Sequence, residues 1–426
     1  MAFGLYKASS KDWLVFILGL LTMIKIRLLG TFGVSELIMF GLLIIKAKEN
    51  PFIQNRQAKT LFVLAILWAA GTLFTDVYRG SSDIDMAKGL FSVVFLILIL
   101  PVAYWCLYDR VERVMYFMGG LAISAILNFY FQGNEEWDEF DVDVWQVYAF
   151  EYLAVFLSAL MFYRKRNSAG YLILFVFGIW SLFHMSRNVF LVFVISAVLI
   201  YVTLVFWKKA KENPIKAQTK FDRNIPAILL ILSLSFIGIK DTYEHLASDG
   251  TLGMRAKAKY EMQKNSSLGL MSGRSDFFIS WQLVKESLII GYGSYAKDKD
   301  ESAYQKSRKL GLEKNSAYLQ NKVRQRFLPG HSHILGAWVY NGILGLPFWL
   351  YAIWIIISFF RRGLYKDISI TPVLIIWSVI MFWDILFSPY ANRPVIALFL
   401  AALVALQGNS RKKISNANEI VKYGKY

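Results

Sequence analysis

Apolar segments long enough to cross a bilayer recur along almost the whole of this chain, and no other feature constrains its fold as tightly. A helical crossing takes about 17 to 25 apolar residues. Twelve such runs can be placed, near 12–29, 31–46, 60–76, 87–107, 111–131, 145–163, 169–185, 187–207, 224–239, 333–360, 371–387 and 394–407, of which the second is short and carries Glu36. Backbone within hydrocarbon must satisfy its own hydrogen bonds, so runs of this length fold as helices. Composition agrees: 56% hydrophobic and 16% aromatic residues in 426, with a mean hydropathy of +0.43, exceed what a soluble domain buries. The expectation is an all-α polytopic membrane protein with about twelve transmembrane helices.

Lys and Arg in short loops stay on the cytoplasmic side, and here they alternate. Basic exits hold Lys46, Lys48, Arg56 and Lys59; Arg110 and Arg113; Arg164, Lys165 and Arg166; the run from Lys208 to Arg223; Arg361, Arg362 and Lys366; and Arg411, Lys412 and Lys413. Between them lie acidic or neutral turns, such as Asp83 with Asp85 and the stretch Glu135 to Asp143, which has six carboxylates and no base. Both termini are therefore expected in the cytoplasm. No small-residue cleavage site follows Lys7 and Lys11, and the first run is long enough to span, so a signal peptide is not expected.

The organisation expected is an N-terminal bundle of about nine helices over 1–239, an outer loop domain over 240–332, about three further helices over 333–407, and a basic cytoplasmic tail over 408–426. The outer loop, periplasmic in a Gram-negative cell, escapes the charge rule as long translocated loops do. It has sixteen Lys and Arg against ten Asp and Glu, a net of +6 by subtraction. Taken singly, Lys306, Arg308 and Lys309 read as solvated surface. Collectively, a basic surface over a membrane favours anionic partners such as lipid headgroups or pyrophosphate.

Several polar motifs bear on chemistry. Ser272-Gly273-Arg274 precedes an amphipathic stretch with Phe277, Phe278, Trp281 and Val284, whose helical spacing lays one face on the membrane or the bundle. Gly291-Tyr292-Gly293 reads as a turn after the helical stretch Asp276 to Ser287, since it lacks the strand-helix context of a dinucleotide fingerprint. Ser186-Arg187-Asn188 falls between two spans that have almost no loop. A charge at mid-bilayer costs roughly 2.5 to 3.5 kcal/mol on insertion scales, so Arg187 faces a polar cavity, snorkels outward, or pairs with a carboxylate such as Asp384. Asp384, within the eleventh span, in turn demands a partner, and Arg393 or Arg187 are the candidates.

All four histidines, His184, His245, His331 and His333, fall on the outer side in this topology. His331 and His333 share a face only in extended chain, and no third ligand has suitable spacing, so a zinc site is not expected. Asp298-Lys299-Asp300-Glu301 has the form of the Asp-x-Asp pair of metal-dependent sugar-nucleotide transferases. Such pairs hold a divalent ion within an α/β domain, whereas here lysines interleave, and a solvated charge run is the reading. The single cysteine, Cys106, rules out an intramolecular disulfide and a cysteine metal cluster.

His331-Ser332, nine residues, then Gly342 and Gly345, preceded in order by Ser272-Gly273-Arg274 and Gly291-x-Gly293, resembles the signature of bacterial O-antigen ligases, within the wider family of O-antigen ligases and polymerases. The resemblance covers roughly residues 180 to 360 at motif level, together with the plan of twelve spans and one large outer loop. Arg187 matches the arginine that the family places at the outer end of the corresponding hairpin. The resemblance implies a GT-C-like membrane glycosyltransferase. Its donor would be undecaprenyl-pyrophosphate-linked O-antigen, its acceptor lipid A-core oligosaccharide, with membrane lipids around it and no nucleic acid partner. The nine-residue gap is the ligase form.

The chemistry implied needs neither cofactor nor metal. The donor already carries a good leaving group, so positioning, charge stabilisation and one base suffice. Arg187 and Arg274 would hold the pyrophosphate, since guanidinium binds phosphate bidentately and keeps its charge. His331, with a reference pKa of about 6.5, would take the acceptor hydroxyl proton. Ser332, His333 and Asp384 complete the substrate-binding set, His333 as the first turn of the tenth span. Gly342 and Gly345 are expected on that same helix, giving close packing or room for a lipid tail.

Three other readings stand beside the ligase. A polymerase would extend the glycan on its lipid carrier. A polysaccharide or lipid transporter shares the span count, although transporters usually show two similar halves. A purely structural membrane protein leaves the basic outer loop unexplained.

Overall fold

The computed structural model describes residues 8–27, 31–131, 139–184, 186–210, 223, 238, 240–264, 275–298, 327–330, 332–363, 369–390 and 392–423. The expected ninth span, 224–239, lies outside them apart from Gly238. The chain is nearly all helical, 82%. Among the described residues the helices are α1 (Ser10–Leu20), α2 (Val34–Lys46), α3 (Arg56–Arg79), α4 (Asp83–Leu107), α5 (Arg113–Phe131), α6 (Glu139–Tyr163), α7 (Asn167–Phe183), α8 (Arg187–Ala210), α9 (Met254–Lys264), α10 (Ser275–Glu286), α11 (His333–Asn341), α12 (Leu346–Ser358), α13 (Thr371–Phe387) and α14 (Arg393–Tyr423). Strands β1 (Lys25–Arg27) and β2 (Thr31–Gly33) pair antiparallel.

Among the described residues, six stretches are long and apolar enough to cross a membrane, by length and composition only: Arg56–Arg79, Asp83–Leu107, Arg113–Phe131, Gln146–Tyr163, Arg187–Val205 and His333–Arg361, the last of them interrupted at Gly342. Three shorter apolar helices, Asn167–Phe183, Thr371–Phe387 and Arg393–Gly408, accompany them. Local signals fix the ends. Asn55 caps α3 by accepting from the amides of Gln57 and Ala58, and Gly80, at φ 63°, closes it. Ser82 then caps α4 through the Asp85 amide, so two long helices are joined by three residues and must run antiparallel.

Two expected spans are built differently. The first, 12–29, is helical only to Leu20, and the hairpin β1–β2 takes over where Lys25 and Arg27 interrupt the apolar pattern. The tenth, 333–360, is not one rod. The helix stops at Asn341, Gly342 turns at φ 67°, and a 3-10 turn over Gly342–Gly345 leads into α12. An added Cβ on Gly345 would meet the Ala337 carbonyl oxygen at 2.5 Å, and the His333 and Trp349 rings stack at 4.8 Å. Sixteen residues along a straight helix would separate those rings by about 24 Å. The pairs 337 with 345 and 333 with 349 therefore describe a helical hairpin, α11 lying antiparallel beside α12. Gly342 and Gly345 serve this fold-back rather than the packing of a continuous span.

Contacts sort the helix ends into two sets. At one end Asp12 accepts from Arg113 (2.8 Å) and Arg110 (3.0 Å), Lys11 reaches Asp109 (3.0 Å), and Gln57 meets Gln407 (2.9 Å). At the other end Asp76 meets Ser294, Tyr390 donates to the Ser92 carbonyl, and Arg393 pairs with Glu36. Lys11, Arg110 and Arg113, basic residues expected on the cytoplasmic side, fall in the first set. Reporter fusions at positions 215 and 415 are expected to read cytoplasmic, and one at position 300 external; a cytoplasmic signal at 300 would contradict that orientation.

Glu36 explains how a short helix carrying a charge is accommodated. Its carboxylate accepts from the Gly33 amide at 2.8 Å, closing the first turn of α2, and takes both Nε (2.5 Å) and Nη2 (2.9 Å) of Arg393. The pair has side-chain exposures of 2% and 15%, so it pins the first turns of α2 and α14 together. Breaking a buried pair leaves one charge uncompensated, at about 3–5 kcal/mol. Glu36→Ala or Arg393→Ala is expected to lower thermal stability by that order in detergent. Loss of only a few tenths would mean that the pair is solvated.

Candidate functional site

The segment after α10 organises the end of the bundle opposite the basic loops. Residues 287–296 run along the last turn of α11, with the amides of Tyr292 and Gly293 donating to the carbonyls of Val339 (2.7 Å) and Tyr340 (3.0 Å), and Ile343 donating to Ile289 (3.1 Å). A helix that breaks leaves its last carbonyls without partners, and this strap supplies them. The turn expected at Gly291–Gly293 falls just beyond those residues, where the Ala296 amide donates to the Gly293 carbonyl (3.3 Å) and Gly293 has φ 89°. At Gly291 a Cβ would lie 2.4 Å from the Tyr340 oxygen, so only glycine permits this approach. Arg79 donates to the Gly291 carbonyl (2.7 Å), and Trp338 Nε1 to that of Leu288 (2.8 Å).

The loop between α13 and α14 packs against the bundle. Tyr390 packs on Trp68 (5.3 Å between ring centroids) and donates to Ser92, eleven residues before the end of α3 and nine after the start of α4. At 1.5 Å per helical residue Tyr390 lies about 15 Å along those helices from their joined ends. Ser332 is 0% exposed. Its hydroxyl caps α11 by accepting from the Leu335 amide (3.1 Å) and donates to the Ile385 carbonyl (3.1 Å). Both roles are thus taken within the protein, and the contribution of Ser332 is to fix the chain where His331 enters. His331 and Arg274 themselves lie outside the described residues.

His333 is 4% exposed, stacked on Trp349 and edge-on to Tyr390 at 5.8 Å, with the Asp384 main chain as its hydrogen-bonding neighbour. Its ring is thus enclosed by aromatic neighbours. Asp384 accepts from Ser388 Oγ at 2.6 Å. Of the two candidate partners of Asp384, Arg393 pairs with Glu36 and Arg187 lies over the Tyr243 ring.

Arg187 opens α8 and lies 4.8 Å over the Tyr243 ring, in the outer helical stretch 240–248. Burial pushes the Tyr243 phenol above its ordinary value, with the Arg187 charge offsetting part of the shift. Asn188 donates to Tyr148 of α6 at 3.2 Å. One turn further along α6, Glu151 and Tyr152 lie within electrostatic reach of Asp384, and Asn392 hydrogen-bonds Tyr152. Helix α6 thus links the Arg187 corner to the Asp384 corner, and the four described site residues, Arg187, Ser332, His333 and Asp384, share one end of the bundle.

Sequence reasoning missed Asp76, Glu151, Tyr148 and Asn392. Glu151 had a readable signal, a carboxylate amid an apolar run; Asp76 sits at a helix end, where charges are ordinary. Among the described residues, no group of three or more His, Cys, Asp or Glu is placed to hold a metal ion. The chain matches no protein-family model, no curated protein and no solved structure.

Proposed function

We propose that this chain is an O-antigen ligase: a GT-C-like, twelve-span glycosyltransferase of the bacterial inner membrane, both termini cytoplasmic, that transfers glycan from undecaprenyl pyrophosphate to a hydroxyl of lipid A-core. The observation that supports this most is the meeting of separated motifs. The Gly291–Gly293 segment docks on the C-terminal end of α11 while Ser332 caps its N-terminal end.

In this scheme His331, preceding the pinned Ser332, removes the proton from the acceptor hydroxyl as its oxygen attacks the anomeric carbon. The bond from that carbon to the pyrophosphate oxygen breaks, and the departing charge is met by Arg187 and Arg274. The scheme requires no metal. The transporter reading gains from the helix break at Gly342, since transporters use unwound carbonyls to hold ions. Those of Val339 and Tyr340, however, are taken by the strap amides.

Arg187 provides the test. Removing one preorganised donor to developing charge costs about 100- to 1,000-fold in rate, so Arg187→Ala is expected to lose transfer at that scale while inserting normally. Arg187→Lys recovers little, because ammonium lacks the planar two-point contact. Near-normal transfer by Arg187→Ala would reduce its role to stacking on Tyr243. A polymerase would give the same loss but lengthen lipid-linked glycan instead of consuming lipid A-core.

A further inference from the structure

Asp76 lies in the last turn of α3, where the helix dipole opposes a negative side chain, and it is 1% exposed. A carboxylate so placed is costly unless its oxygens are hydrogen-bonded. Its acceptors are filled by the Ser294 amide (2.5 Å), Ser294 Oγ (2.7 Å) and Ser81 Oγ (2.8 Å), all neutral donors, and two of them belong to the strap. The strap is also confined sterically: a Cβ on Gly89 of α4 would fall 1.8 Å from Ser294 Oγ. Ser294 is therefore seated between α3 and α4, and α3 holds the strap by its deepest residue.

The consequence runs along α11. The strap supplies the amides that close its last turn, and Ser332 begins its first. A nine-residue helix is a rod of about 13 Å, so displacing one end displaces the other. We propose that Asp76 is a positioning residue: by latching Ser294 it sets the strap, the strap sets α11, and α11 sets Ser332 with the His331 that precedes it. The latch is a property of the fold alone, while its effect on rate rests on the glycosyltransferase reading.

The test uses the full chain in nanodiscs and two readouts. Hydrogen–deuterium exchange is followed in peptides covering 289–293 and 339–343, with α5 as the internal control. Steady-state transfer gives kcat and KM separately. Asp76→Leu, close in volume but unable to accept, is expected to exchange faster in both peptides and not in α5, and to lose about 100-fold in kcat with KM little changed, the scale of a misplacement near 1 Å. Asp76→Asn still accepts from the Ser294 amide and should recover most of both. If Asp76→Leu fails to fold, Ser294→Ala, which removes one strap contact and keeps the other, must show intermediate exchange. Unchanged exchange overturns the latch, and faster exchange with unchanged kcat overturns the positioning role. Wild-type protein that transfers nothing would sink the glycosyltransferase reading, while the exchange data still decide the latch.

Discussion

His331→Ala is expected to lower glycan transfer by about 100- to 10,000-fold, the range of general-base assistance, with membrane insertion and folding intact. Ser332, which follows His331 in the chain, is committed on both sides, to the Leu335 amide and the Ile385 carbonyl. His333, two residues on, is enclosed between Trp349 and Tyr390. His333→Ala should therefore lose stability and keep more activity per folded molecule. A comparison at equal folded protein separates the two, and equal loss in both variants would contradict the assignment of His331 as the base.

Gly342→Ala, and more so Gly342→Val, is expected to be among the most destabilising single changes. At φ 67° the backbone is in a region that side chains resist, at about 1–3 kcal/mol. A Cβ there would also meet the Ile289 carbonyl oxygen at 2.2 Å and the Gly291 nitrogen at 2.8 Å. Both are backbone atoms of the strap and cannot swing aside as a side-chain tip does, which adds a cost of about 1–3 kcal/mol. Thermal denaturation in detergent reads the sum. Wild-type stability in Gly342→Ala would mean that the strap does not dock on the break.

The sequence revealed the helices wherever hydropathy alone decides them, as for α3 to α8. It also marked a turn at Gly291–Gly293, which falls just beyond, over Gly293 to Ala296. It did not reveal the fold-back of 333–349, because the segment as a whole is apolar enough for a straight span and hydropathy is blind to direction. The signal was nevertheless present in Asn341-Gly342, a turn dipeptide, followed by Pro347 in the first turn of α12, where proline marks a new helix start. The pairing of Glu36 with Arg393 joins residues at opposite ends of the chain, and Asp384 offered a nearer and equally charged rival. Only the packing of α2 against α14 decides between them. Asp76 was hidden for a different reason: its importance lies in two hydrogen bonds to a serine of the strap, and neither leaves a periodic trace.

Transfer by purified protein tests the central claim most directly. The full chain, reconstituted with undecaprenyl-pyrophosphate-linked O-antigen and lipid A-core in excess chelator, is expected to yield lipid A-core bearing the glycan, and the His331→Ala protein is expected to yield almost none. Lengthened lipid-linked glycan with untouched lipid A-core would contradict the ligase assignment and make the chain a polymerase. Activity that stops on chelation and returns with a divalent ion would contradict the arginine and histidine chemistry itself.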